Sequence, residues 1–275
     1  DNNGVMHLFA DVLTSGSAGG CVGARHIYSS DLSNWTNTDI TSSLASDGLA
    51  SWRMYGNMIH VGGVWLKGYY KQTDNGDVTQ SANYVFRSTD GINWTSVTVR
   101  AAAATYINEC SVFWLGGNNV GYLARNEATG EWSLSLSTDL GLTWDAFTDV
   151  TFGETVVSAN PAMVKTFTHN GVLVVAAYIT NRNNDNAFVI YGKASDIVSS
   201  RGSGWDLGAK FCWYESDLAP FHLHYGDVTH LDGTLRAVGI YAYDQFPGGG
   251  GTVNEMRIMT MPTWYVAKIE SELGI

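Results

Sequence analysis

The chain has 275 residues, of which 45% are hydrophobic and 15% charged, and a formal net charge of −11. That balance predicts one large domain over residues 1–275 with a sizeable core and excludes a disordered chain. It speaks against a nucleic-acid partner, which needs a basic stripe, and with no run of eighteen apolar residues it predicts no membrane insertion.

The chain opens on an apolar run, Val5-Met6-His7-Leu8-Phe9-Ala10, and reaches the phrase Ser29-Ser30-Asp31-Leu32-Ser33-Asn34-Trp35. Two near copies follow, Ser88-Thr89-Asp90-Gly91-Ile92-Asn93-Trp94 and Ser137-Thr138-Asp139-Leu140-Gly141-Leu142-Thr143-Trp144. Repetition at a period of about 50 residues signals an architecture of stacked supersecondary units. Each phrase reads as a hairpin clasp: Ser and Asp bond back to turn backbone, Gly or Asn supplies the left-handed residue, and Trp packs the turn onto its own sheet. Ala194-Ser195-Asp196 and Thr260-Met261-Pro262-Thr263-Trp264 read as eroded copies.

Between the clasps lie apolar strands broken by Gly-containing turns: Met58 to Leu66 around Gly62-Gly63, Val112 to Gly117, Met163 to Leu173 around Asn170-Gly171, and Val228 to Leu235 around Asp232-Gly233. Asn-Gly, Asp-Gly and Gly-Gly between apolar runs are strong hairpin signals. The expected fold is all-β: a β-propeller, most simply of five blades with four antiparallel strands each, with six blades open as a count. The first blade lacks its innermost strand. Closure by Lys268–Ile275 is the favoured source, and a strand upstream of Asp1 is the other.

The clasps resemble the Asp-box, or BNR repeat, of sialidase-like β-propellers, the third copy most closely. The resemblance covers most of the chain, and in that family the Asp-box is structural and distant from the active site. It implies a glycan-directed function at the opposite face. The family's exo-sialidases use three Arg on the sugar carboxylate, a Tyr–Glu nucleophile pair and an Asp acid/base. Their Arg-Ile-Pro phrase is not reproduced: Trp52-Arg53-Met54-Tyr55 has a displaced Arg and no Pro.

Connectivity puts the starts of the inner strands and the loops between second and third strands on the face away from the clasps. The starts are Trp52 to Tyr55, Tyr106 to Glu109, Ser158 to Asn160 and His222 to Asp227; the loops are Tyr69 to Asp74, Arg125 to Glu127, Asn181 to Asp185 and Tyr243 to Phe246. Glu109 and Asp227, each at or within two residues of such a start, are the expected catalytic carboxylates. Glycosidases need a pair of carboxyl groups about 5 to 9.5 Å apart. Arg53, Tyr55, Arg125, Glu127, Arg182, His224, Tyr225 and Asp244 are the expected sugar contacts, because aromatic faces and planar guanidinium forks match glycans and their carboxylates. A hydrogen-bonding role for Glu109 between blades is the competing reading.

Cys21, Cys110 and Cys212 are odd in number and lack metal spacing, so free and mostly buried thiols are expected, with no metal and no cofactor. Free thiols fit folding in a reducing cytoplasm, and the start at Asp1 suggests a trimmed or mature form. The functional expectation is a propeller that recognises and hydrolyses cell-surface or extracellular polysaccharide. Overall character resembles the receptor-binding or depolymerase head of a bacteriophage tail fibre or tailspike, which implies an extracellular or virion-surface site and a homotrimer. The rivals are a non-catalytic, lectin-like module and a five-bladed glycosidase of the arabinan- or fructan-cleaving type.

Overall fold

The computed structural model describes residues 4–13, 21–73, 79–153, 162–181, 186–214, 221–230, 235–245 and 254–275. Their strands form five antiparallel sheets that follow one another along the chain. The first holds β1 (Met6–Leu13), β2 (Cys21–Ser29) and β3 (Thr36–Asp39). The second holds β4 (Ser51–Val61), β5 (Val64–Gln72), β6 (Ser81–Ser88) and β7 (Thr95–Ala103), and the third β8 (Ile107–Trp114), β9 (Val120–Asn126), β10 (Glu131–Ser137) and β11 (Thr148–Val150). The fourth holds β12 (Met163–His169), β13 (Val172–Asn181), β14 (Asn186–Lys193) and β15 (Asp206–Tyr214). The fifth holds β16 (Phe221–His230), β17 (Ala237–Gln245) and β18 (Asn254–Thr260). Two helices are added, α1 (Ala194–Ser200) and α2 (Thr263–Leu273).

Apolar layers fill the spaces between successive sheets. Phe9, Trp65, Phe86 and Trp94 lie between the first and second, Leu66, Val85, Val112 and Tyr122 between the second and third, and Phe113, Trp132, Ile179 and Phe188 between the third and fourth. Phe211, Ile269 and Leu273 bring α2 onto the fourth sheet. The second, third and fourth sheets are thus apolar on both faces, and the arrangement is consistent with a β-propeller.

Three expectations are corrected. The segment Lys268–Ile275 supplies no strand, because it falls in α2 and its cap. Ala194-Ser195-Asp196 opens α1 and Thr263-Trp264 opens α2, so neither is a clasp. The expected four strands per blade hold for the second, third and fourth sheets, while the first and fifth show three among the described residues.

The clasps form as expected between third and fourth strands. In the third, Asp139 Oδ1 accepts from the amides of Leu142 at 3.0 Å and Thr143 at 2.8 Å, and Ser137 Oγ accepts from Gly141 N at 2.9 Å. The first and second copies repeat this around Asp31 and Asp90. Two details differ. The left-handed residue of the first clasp is Leu32, at φ 61°, rather than Gly or Asn. Trp94 leaves its own sheet and donates from Nε1 to His26 Nδ1 of the first sheet at 3.2 Å.

Candidate functional site

Antiparallel order places the starts of β4, β8, β12 and β16 on one rim with the ends of β5, β9, β13 and β17, and the clasps on the other. Inner strands at the first rim are irregular. Pairing of β8 with β9 shifts between Asn108 and Cys110, so Glu109 is the extra residue of a bulge. β4 breaks register between Met54 and Met58, and β16 between Leu223 and Gly226. Bulges re-aim a side chain out of the pleat, and here they fall on Glu109, Tyr55 and the pair His224-Tyr225.

Glu109, Arg125 and Glu127 come together. Arg125 at the end of β9 donates from Nη1 to Glu109 Oε2 at 2.9 Å and pairs through Nη2 with Glu127 Oε1 at 3.0 Å. Asn108 Nδ2 donates to the same Glu127 oxygen at 3.1 Å. Glu109 and Arg125 are 9% and 8% exposed, so this ion pair is desolvated, while Glu127 beside it is exposed. Tyr106 donates its hydroxyl to Gln72 Oε1 at 2.9 Å beside it, and burial raises the Tyr106 pKa.

A second cluster stands next to it. Arg53 on β4 donates from Nη1 to its neighbour's carbonyl, Trp52 O, at 2.8 Å and contacts Cys21 Sγ. Asp11, near the end of β1, accepts from Met54 N through Oδ2 at 3.2 Å, while its Oδ1 is buried with no partner among the described residues. Burial raises the Asp11 pKa, against the opposing pull of the Met54 amide and of Arg53 and Lys67. Lys67, sunk in β5, donates from Nζ to Tyr55 O at 3.0 Å and to Gly56 O, and burial lowers its pKa to about 8. The clusters join where Gly56 abuts the Cys110 carbonyl: a Cβ at 56 would lie 2.2 Å from that oxygen, and φ there is +70°.

Asp11 and Lys67 escaped sequence reasoning. Their signal was a charged residue inside an apolar run, Leu8-Phe9-Ala10-Asp11-Val12-Leu13 and Val64-Trp65-Leu66-Lys67-Gly68-Tyr69. Tyr69 to Gln72, expected as a loop, are the buried end of β5. Asp227 is the seventh residue of β16, opposite Ile240 and past the bulge, which corrects its expected place within two residues of the strand start. His224, Tyr225 and Asp244 lie on β16 and β17, whose backbone register is described but whose side chains fall outside the described set. Arg182 and Ser158 to Asn160 lie outside the described residues.

All three cysteines are unbridged, with Cys21 and Cys110 buried and Cys212 exposed. No group of three or more metal-ligating side chains occurs among the described residues. No described helix is long and apolar enough to cross a membrane.

No family model and no curated protein matches the chain. Among solved structures, the chain is similar to the intramolecular trans-sialidase from Ruminococcus gnavus, at 18% identity and a TM-score of 0.62 over 80% of this chain and 45% of that one. The leech intramolecular trans-sialidase aligns at 14% identity and a TM-score of 0.66, covering 92% of this chain and 37% of that one. The α-L-arabinofuranosidase from Lactobacillus brevis aligns at 10% identity and a TM-score of 0.58, covering 94% and 87%. The fold is therefore sialidase-like. The chain spans less than half the length of the two trans-sialidases.

Proposed function

We propose that the rim carrying Asp11, Arg53, Glu109 and Arg125 recognises and hydrolyses a glycan of cell-surface or extracellular polysaccharide. The observation that carries this reading is a pair of carboxyl groups in contrasting settings on one rim. Glu109 is ion-paired with Arg125 at 2.9 Å, whereas Asp11 is pushed toward its protonated form by burial. Glycosidases use that contrast, with one carboxylic acid protonating the leaving oxygen and one carboxylate acting as nucleophile or base. Asp11 takes the acid role, and Glu109 the anionic one. Asp227 on β16 remains the other candidate for the second carboxyl. Arg53 and Tyr55 on β4, His224 and Tyr225 on β16 and Asp244 on β17 are proposed sugar contacts, together with Arg182, which lies outside the described residues.

A glycosidase of about this chain's own length is the second reading, favoured by the 87% of the arabinofuranosidase that the chain covers. A place at the head of a bacteriophage tail fibre or tailspike has compositional support only, in the abundance of Gly and aromatic residues.

The test is release of reducing ends from α-sialosides, arabinan and bacterial polysaccharides, with binding followed in parallel on a glycan array. Asp11→Asn and Glu109→Gln are each expected to lower turnover by about 10²–10⁴-fold while binding persists. Binding without release by the unaltered chain would instead establish the lectin-like module. Turnover untouched by either substitution would remove this site.

A further inference from the structure

β4 leaves the pattern of its sheet in the middle. Met54 stands opposite Tyr69 and Met58 opposite Lys67, so Tyr55, Gly56 and Asn57 face Gly68 alone. Such an insertion takes backbone carbonyls out of the ladder, and away from water each must find another donor. Lys67 supplies one. Its ammonium group donates to Tyr55 O at 3.0 Å and to Gly56 O, and the residue is 7% exposed. Gly68 beside it leaves room for the insertion against β8, since a Cβ there would lie 2.5 Å from Cys110 Sγ.

A cation buried on two carbonyls, with Asp11 acting on its charge only from farther off, costs stability that an apolar side chain in β5 would not. What it secures lies on both sides of the bulge. Just before, Met54 N donates to Asp11 Oδ2 at 3.2 Å; just after, Gly56 abuts the Cys110 carbonyl, one residue from Glu109. Tyr55 stands between them. The titratable and charged groups around Lys67 are Asp11 on β1, Cys21 on β2, Arg53 on β4, Glu109 and Cys110 on β8 and Tyr122 on β9. Burial lowers the Lys67 pKa to about 8, with Cys110 and Asp11 pulling it upward. Burial pushes Cys110 up to about 11 and raises Cys21 and Tyr122 as well, so the thiols and the phenol keep their protons where Lys67 gives its up. A neutral amine holds carbonyls more weakly than an ammonium does.

We propose that Lys67 is a positioning residue whose charged form clamps the β4 bulge, fixing the backbone of Tyr55 and the Met54 amide on Asp11, and that the rim engages its glycan only while the clamp is closed. The second half rests on the hydrolytic reading of this rim; the first does not.

The test follows the carbonyl carbons of Tyr55 and Gly56, labelled with ¹³C in the full chain, by NMR from pH 6 to pH 10. Both should move together with one midpoint near 8, and neither should move over that range in K67R or K67M. Binding of arabinan oligosaccharides and α-sialosides is measured alongside. Whichever of these probes the chain takes up should bind at least about tenfold more weakly at pH 10 than at pH 7, with the same midpoint. K67R should abolish that decline, and K67M should bind as weakly at pH 7 as the unaltered chain does at pH 10. Carbonyl signals that stay still in the unaltered chain would overturn the clamp, as would signals that still move in K67R. Moving signals with binding flat across the range would leave Lys67 a purely structural residue and overturn its positioning role. A chain that takes up neither probe at any pH overturns the glycan half together with the reading it rests on, while the carbonyl signals still decide the clamp. The titration of the unaltered chain needs no substitution, so a variant that fails to fold does not shield the proposal.

Discussion

Arg125 and Glu109 are paired at 2.9 Å only because β8 carries one residue more than β9 at that point. Without the bulge, Glu109 would alternate onto the opposite side of the strand and leave Arg125 with Glu127 alone. Removing the guanidinium from this desolvated group leaves two carboxylates facing one another. Arg125→Ala is expected to cost about 3–5 kcal/mol in urea unfolding, and Glu109→Gln distinctly less, because Glu127 still satisfies Arg125. Equal costs for the two would show that the pair is not the stabilising element.

Gly56 tests how closely β4 and β8 must approach. A methyl group there meets the Cys110 carbonyl at 2.2 Å and must also adopt φ +70°. Gly56→Ala should destabilise by more than about 1 kcal/mol, and it should reduce turnover as well, since it pushes β4 away from β8 next to Glu109. Gly117, also at positive φ but with nothing within 4 Å, is the control. Its alanine variant should leave turnover unchanged.

The clasps are expected to be structural. Asp139→Ala loses two backbone bonds and the hydroxyl of Thr143, at 2.6 Å from Oδ2. A loss of about 1–2 kcal/mol is expected in thermal or urea unfolding, with glycan binding and turnover intact below the melting range. A clasp substitution that abolished binding at full foldedness would place the glycan on the wrong rim.

The histidines set an acid limit. Burial, and then the charge of His7, lower the His26 pKa to about 4. His230 is lowered to about 3, by burial and then by Lys165. Both depart downward from an unfolded value near 6.5, so the unfolded chain binds more protons between those limits. Their contribution is complete above pH 6.5 and is lost as the pH falls through 6.5 toward 4. The urea midpoint should drop across that window, and His26→Gln should flatten the slope. His26 Nδ1 accepts from Trp94 and its Nε2 lies 3.0 Å from His7 Nδ1, so protonation also breaks this chain of bonds.

The strands and turns were legible because their causes are local. Ser-x-Asp spacing lets one carboxylate cap two amides of its own turn, and Gly62-Gly63 and Asn170-Gly171 dictate hairpins whatever surrounds them. Helix α2 was misread because its apolar Ile269 and Leu273 suit a strand as well as a helix face; packing against Phe211 and the fourth sheet decided between them. Glu109 was singled out from its position at a strand start, and Arg125 and Glu127 from theirs near a loop, and the structure pairs the three. Asp11 and Lys67 were missed, because a charge in an apolar strand gains its meaning from the neighbours it is buried among.

Sequence by itself determined the repeating sheet, the clasps that fasten it and the rim on which polar residues gather, since each follows from spacing within a few residues. Tertiary structure decided which of those residues meet. A one-residue bulge turns Glu109 onto Arg125, and Gly56 of β4 closes onto the Cys110 carbonyl of β8. Such approaches depend on residues far apart in the chain, and the burial that raises the Asp11 pKa exists only once the sheets have closed around it.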